Sequence, residues 1–551
     1  MALQDNTILQ IIELKSEDEN NRENPKFKGS LLSNRDISEI VFGLRTSEST
    51  VRRVWKKYKQ QGHYKGVVGN NPIAGGSYFE PKDIQGTFKG KRFLFTSAQN
   101  NTFRHEGFVD SLLNYTKHIG AELVVGTFSY NKNGFQNGTK KSDKEWIDSR
   151  LLPYVCNEQR RIADGLVWCG ELNILPTAAN PLSGFKNYCG SDSLIVPHAK
   201  HAAESVATPP SIDTKIMYTT GAATLANYVE KTAGQKGKWW HTIGAVVVEV
   251  DEEGDWFVRQ INCVNSSGVF QDLNTKVSPK GIQTTEANVA GIQWGDIHAN
   301  TLSSSIKKAN WGCGGIAETL RPDVQFAHDC LNFSDPNGHH TRDDPYYRFA
   351  SFVNNIPTIE EEVKQTYDVL EMMSNFSEVI VVESNHDLHL EQYLKQGCYK
   401  KDPRNALFFL RMQLLNYEAM SKGEKLQTFK TACEQVSGGI SEKITYLKTD
   451  ESYNFHGIEC GIHSHVGANG SRGAINGYAN MGVRFNIGHS HSFGIKGSVF
   501  QGGVCMRQED SGYAKGPSSW SVTHILTYET GKRTGLTLKW SDKQQRWKWR
   551  A

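Results

Sequence analysis

The chain has 551 residues, 38% hydrophobic and 22% charged, which suits two to four globular domains and leaves no apolar run of about 18 residues to span a membrane. Its 62 Lys and Arg against 59 Asp and Glu give a net charge of +3, so bulk charge announces no nucleic-acid binder, and only a local basic patch could. The N-terminus lacks a basic stretch followed by an apolar one, which argues against a secretion signal, and the 10 cysteines form no CxxC pair, which fits a reducing cytoplasm better than a disulfide framework or a zinc finger.

Residues 1–30 begin with a short amphipathic stretch holding Ile8, Ile11 and Ile12, then a polar run from Ser16 to Gly29 that reads as a loop. Over residues 31–62 the pattern predicts two short helices. Ser33 is placed to cap the first, which carries Ile37 and Ile40; Gly43 suits the positive φ of a tight turn. Ser47 is placed to cap the second, with Val51, Val54 and Trp55 inward and Arg52, Arg53, Lys56, Lys57 and Lys59 over the rest. This is the helix-turn-helix pattern, so residues 1–65 are expected to form a small helical DNA-binding domain with Arg52, Arg53 and Lys56 as contacts. The alternative is a solvated basic helix in a small bundle. Residues 66–90 are rich in Gly and Pro and read as a linker.

Residues 91–287 read as an α/β domain to which no reaction can be assigned. KRFLFTSA predicts a strand, FVDSLLNYTKHIG a helix and AELVVGTFS a strand, with further strands at GLVWC, DSLIVP and TIGAVVVEVD. His198 and His201 lie close together in sequence, and a structural role is the simpler reading for them. Residues 288–551 alternate strand-like runs (VAGIQW, EVIVVES, IECGIH, RFNIGH) with loops rich in His, Asp and Asn. In α/β sheets chemistry collects at such carboxyl ends. HILTYETGKRTGLTLKW reads as a hairpin with basic residues in its turn.

The chemistry rests on five segments of this last region. Asp296 and His298 stand two apart after a strand, so in extended backbone both can reach one ion. Asp329 follows next, and a carboxylate can bridge two cations. Asn385 offers a neutral oxygen, and His386 beside it, next to Asp387, can move a proton. His463 with His465, and His489 with His491, complete the set. A single HxH is a weak signal. Five fragments in this order point to a dinuclear metal site.

The order Asp296-Ile-His298, His328-Asp329-Cys-Leu-Asn332, Ser384-Asn385-His386-Asp387, His463 and Gly488-His489-Ser-His491 resembles the calcineurin-like metallophosphoesterase superfamily. The resemblance covers residues 288–551 and implies an αββα sandwich there. It also implies one ion held by Asp296, His298, Asp329 and His491, and a second by Asp329, Asn385, His463 and His489. Asp329 would bridge, His386 would act as acid or transition-state stabiliser, and Asp387 would orient it. His328 stands where the family has Gly, and Asn332 where it has Asp, which touches local geometry rather than the ligand set. The stretches DPNGHHTRDDPYYRF, SNHDLHLEQYL, HSHVGANGSRG and TYETGKR resemble phage-encoded members that degrade host DNA, which implies the host cytoplasm as the place of action.

The expectation is therefore a DNase using two divalent ions, manganese first and iron, zinc or magnesium as alternatives, since mixed His, Asp and Asn ligation without thiolates suits such ions. His339, His340, Arg342, Arg348 and Arg472 are candidate DNA contacts near the site, as phosphate partners. In the tail, Arg546, Trp547, Lys548, Trp549 and Arg550 could track phosphates and stack bases, or simply end the fold as an amphipathic strand. The expected partner is DNA and no membrane, with self-association open. Two other functions compete: a phosphatase or small phosphodiesterase acting on protein, nucleotide or RNA ends, and a DNA-binding regulator.

Overall fold

The computed structural model describes residues 5–23, 31–43, 48–61, 87–130, 134–136, 145–264, 267–334, 345–511 and 514–551. Ser47 and most of the expected linker lie outside them. The chain divides into two units, Met1–Glu80 and Pro81–Ala551.

In the first unit three helices form, Asp5–Glu23, Asn34–Phe42 and Glu48–Gln61. Ser33 caps the second reciprocally: its hydroxyl accepts from the Asp36 N–H, and the Asp36 carboxylate accepts from the Ser33 N–H at 2.7 Å. Gly43 ends that helix at φ 67°. Ile11, Ile12, Ile37, Val51 and Val54 make the core. Two expectations change. Ile40 is exposed, because the inward face of that helix is formed by Ile37, Val41 and Phe42. Residues 16–23 are helical and not a loop, since Asp18 turns inward and accepts the Leu32 N–H at 2.7 Å. Arg52 and Arg35 both pair with Glu48 at 2.7 Å, while Arg53 and Lys56 face solvent.

The second unit merges what the sequence presents as two domains. A six-stranded sheet runs Ile444–Tyr446, Glu378–Val381, Val324–Ala327, Gly291–Gln293, Thr523–Thr527, Arg533–Thr537. Its first four strands are parallel, and the last two form the expected hairpin. Helices such as Ile359–Ser374 and Thr428–Ser437 pack on one face through Val363, Leu370 and Ala432. On the other face Phe326 and Ile380 meet Ile458 and Phe455 of a second sheet. That second sheet has ten strands, five from each expected domain. The two halves join where Ala203–Val206 pairs antiparallel with Gly494–Lys496, Glu204 opposite Gly494 and Ala203 opposite Ile495. No boundary therefore falls at residue 287: alternation marks a strand but not its partner.

A four-stranded sheet holds four more of the central strands in the order Trp256–Asn262, Gly244–Val250, Arg92–Gln99, Glu122–Phe128. Arg259 is buried there between Asp272, at 2.8 Å through two nitrogens, and Glu249 at 2.7 Å, and Tyr115 donates to the same Asp272. Burial disfavours its charge, but the two carboxylates outweigh that and hold its pKa up. His198 and His201 bond main-chain oxygens of Leu175 and Thr220 at 3.1 Å, the structural role expected of them. The tail is part of the fold. Arg546–Lys548 pairs with Lys539–Ser541, Trp549 is in the core, and the Lys548 ammonium sits among Asp251, Glu253 and Asp255. Burial removes Trp549 as a base-stacking surface. Nine cysteines whose side chains are described are free thiols, and among the described residues no helix is long and apolar enough to cross a membrane.

Removing one partner of a buried charge network strands the others. Arg259→Met is expected to cost about 3–5 kcal/mol. Lys364→Ala, in an exposed pair with Asp368, should cost under about 1 kcal/mol. Urea unfolding of the two variants checks the contrast.

Candidate metal centre

The ligand-type residues gather at the carboxyl ends of five strands. Asp296 and His298 follow Gly291–Gln293, Asp329 follows Val324–Ala327, and Asn385 opens the helix Asn385–Gln396 just after Glu378–Val381. His463 follows Ile458–Glu459, and His489 and His491 follow Phe485–Ile487. Four of these residues turn their side chains in from left-handed backbone: His298 at φ 44°, Asp329 at 43°, His489 at 75° and His491 at 59°. Such conformations cost on the order of 1–3 kcal/mol each and persist only where the surroundings enforce them. Gly488 needs its missing side chain for another reason. A Cβ there would stand 2.4 Å from Asp296 Oδ1 and 3.1 Å from His463 Nδ1.

Three groups of ligand atoms result among the described residues, with Asp329 in all of them. Asp296, Asp329 and His491 form the first, Asp329, His463 and His489 the second, and His298, Asp329 and His386 the third. In the first, His491 Nε2 lies 3.2 Å from Asp296 Oδ2 and 3.2 Å from His298 Nε2. In the second, His463 Nε2 lies 3.1 Å from Asp329 Oδ2 and 3.1 Å from Asn385 Oδ1, which is 3.0 Å from His489 Nδ1. Ligands about 2.1 Å from a common ion at right angles stand about 3.0 Å apart, so these spacings fit cations shared within each group. Buried atoms without a hydrogen-bond partner among the described residues agree: Asp296 Oδ1, Asp329 Oδ2 and His298 Nδ1.

Burial opposes charge on Asp296 and Asp329, yet the neighbouring His463 outweighs it and holds both carboxyls below their ordinary range. The same pair raises His463 to about 9 against its own burial. His489 is pushed down to about 4 by burial and by His463, so it is a neutral, ligand-ready imidazole at pH 7. Burial lowers His298 as well.

His386 closes the site from the helix terminus. Its N–H donates to Asp329 Oδ1 at 3.1 Å, its ring lies 4.6 Å from that of His298, and its Nδ1 is 2.9 Å from the Asn332 carbonyl oxygen. The group that orients the ring is therefore that carbonyl, where the sequence pointed to Asp387. Asp387 instead accepts the Leu331 N–H at 2.9 Å and holds the loop after Asp329, its carboxyl raised by burial and by Asp329. Ser384 does similar work, accepting the Asp329 N–H at 2.9 Å. His328 is buried with Nδ1 3.2 Å from His463 Nδ1, and Trp520 lays its ring 4.3 Å from that of His491. The sequence marked His328 only as a departure from the family pattern and did not single out Trp520. His465 lies 5.7 Å from His463 between ring centres, and Arg472 is exposed on the loop beyond it. His339, His340, Arg342 and the Arg348 side chain lie outside the described residues.

Protein A1 of Escherichia phage T5 is 42% identical to the chain over 528 residues, spanning 92% of the chain and 93% of that protein. The chain belongs to the Protein A1 family. The kinship with phage proteins expected from its motifs is thereby shown. No family profile and no solved structure matches the chain. The name Protein A1 states no reaction, so for this member of the A1 family the chemistry must be argued from the site.

Asp329→Ala is expected to remove both ions at once, and Gly488→Ala to weaken binding at least about tenfold while leaving the fold intact; metal analysis after dialysis against manganese reads both. Because His463 carries a proton below about pH 9 in the metal-free protein, ion binding must expel it. Apparent affinity should then fall as pH drops below about 9, with proton release at pH 7 seen by calorimetry in buffers of different ionisation enthalpy.

Proposed function

We propose that the chain is a metal-dependent nuclease of the calcineurin-like metallophosphoesterase type, hydrolysing DNA phosphodiester bonds at a dinuclear centre. The observation that carries this reading is the set of ligand groups that share Asp329, among them Asp296 with His491 and His463 with His489. The stack of helices on a sheet on a second sheet suits the αββα sandwich of that superfamily. Asp296, His298, Asp329 and His491 would hold one ion, and Asp329, Asn385, His463 and His489 the other. Manganese is the first choice for a mixed carboxylate, amide and imidazole set. Two such ions neutralise a phosphodiester, acidify water and hold the attacking oxygen in line.

The protein's own groups do the rest. With its Nδ1 donating to the Asn332 carbonyl, His386 is left to handle protons through Nε2, where it can supply one to the departing alkoxide. Asp329 Oδ1 accepts the backbone N–H of His386, which ties the first turn of its helix to the shared carboxylate. Exposed Arg53 and Lys56 on the helix-turn-helix unit, and exposed Arg472, are the DNA contacts consistent with the described surface. Kinship with a phage protein supports host DNA as substrate and the host cytoplasm as the place of action.

Purified protein loaded with manganese is expected to cleave linear and circular DNA. Asp329→Ala should abolish cleavage, and His386→Ala should lower kcat by about 10²–10⁴ with metal content unchanged. Loss of all activity on DNA and RNA by metal-loaded protein would sink the nuclease reading. Turnover of an aryl phosphodiester or a phosphoprotein alone would redirect it to a small phosphodiesterase or phosphatase.

A further inference from the structure

A second concentration of charge lies away from the ligands. The strand Phe485–Ile487 leads into His489 and His491 at one end; Arg484 stands at the other. There a cavity of about 120 Å³ is lined by Lys200, Arg484, Lys532 and Arg533, with His201 and Trp240 beside them. No carboxylate is among its lining residues.

Three of the four cations are held by neutral groups. Arg533 is only 5% exposed; it donates to the carbonyl oxygens of Phe485 at 2.6 Å and Ser498 at 2.8 Å and to the Asn486 side chain at 2.9 Å, and it lies 4.2 Å over the Phe500 ring. Arg484 donates to the Gly531 carbonyl oxygen. Lys200 donates to the Ala179 carbonyl oxygen at 2.6 Å and sits 5.0 Å from the Trp240 ring. The Lys532 ammonium has no acceptor among the described residues. Burial brings Arg533 down to about 9, with the Arg484 charge adding to it, and burial also lowers Lys200, Lys532 and Arg484.

Elsewhere Arg259 and Lys548 are each enclosed by carboxylates, while the buried Lys215 donates to the carbonyl oxygens of Tyr188 and Gly190. Like charges gathered without counter-charge are costly, and an anion relieves that cost. The cavity has about four times the volume of a water molecule (~30 Å³), enough for a compact anion. Arginine forks with lysine point charges are the donor set that phosphate oxygens select.

We propose that this cavity is a phosphate-binding site, built by Lys200, Arg484, Lys532 and Arg533 at the end of the sheet opposite the metal centre. The phosphate belongs either to a small phosphate ligand or to the backbone of a nucleic acid. The site stands on charge and geometry and does not depend on the nuclease reading.

The test uses the full-length protein in EDTA, where no cleavage occurs. Inorganic phosphate and a thymidine dodecamer without terminal phosphate are titrated at constant ionic strength. Phosphate should raise Tm above the chloride control, and Lys532→Gln and Lys200→Gln should each weaken phosphate affinity about tenfold, the loss of one charged hydrogen bond. Lys532→Arg should keep it. His463→Ala, which removes the protonated group at the metal centre, should leave the response unchanged. Weakening of both ligands in the glutamine variants supports a backbone phosphodiester, and weakening of inorganic phosphate alone supports a small ligand. Phosphate stabilisation no greater than that of chloride, or affinities untouched by either glutamine variant, would overturn the proposal, whatever the nuclease assay shows.

Discussion

Asp329 places a carboxylate where water does not reach, with its two oxygens turned toward different partners. Burial by itself would neutralise such a group. What keeps it ionised is the ring of imidazoles around it, His463 above all. Much of the surrounding architecture serves that arrangement. Left-handed backbone at His298, His489 and His491 turns the rings inward, Gly488 leaves room for Asp296, and Ser384 and Asp387 fasten the loop on either side of Asp329. An assembly of carboxylates and imidazoles this tight is costly when empty of cations and favourable when it shares them.

The segment 91–287 carries no ligand, yet the centre depends on it mechanically. Its strand Ala203–Val206 pairs with Gly494–Lys496, which begins three residues after His491. Ser205 also bonds the Phe493 carbonyl through both its N–H and its hydroxyl. The loop bearing His489 and His491 is thus pinned by a neighbouring strand of the same sheet, and the Ser521 N–H holds the His491 carbonyl from the other side. Positioning to a few tenths of an ångström is what ligand pairs about 3 Å apart require.

The ligand residues were legible because ion chemistry restricts residue type and because a strand end presents them in fixed order. Their groups about Asp329 appear where that order placed them. The helix Asn34–Phe42 was legible for a similar local reason: a capping box at Ser33 and Asp36 and a glycine at 43 act within one turn of chain. Less legible were contacts made through main-chain atoms. The carbonyl of Asn332 orients His386, and any residue type can offer a carbonyl. The cationic cavity was equally hidden, since Lys200, Arg484 and Lys532 are far apart in sequence and each reads alone as a solvated charge.

By itself, then, the sequence determined which residues can ligate, in what order they follow their strands, and where short helices start and stop. These are properties of neighbouring residues. The tertiary structure alone decided that residues 91–287 and 288–551 share one sheet, that Asp387 braces a loop while a carbonyl aims His386, that Trp549 is core, and that four cations meet at the far end of the sheet. Those outcomes depend on which strands pair and which faces pack, and period-two alternation carries no record of either.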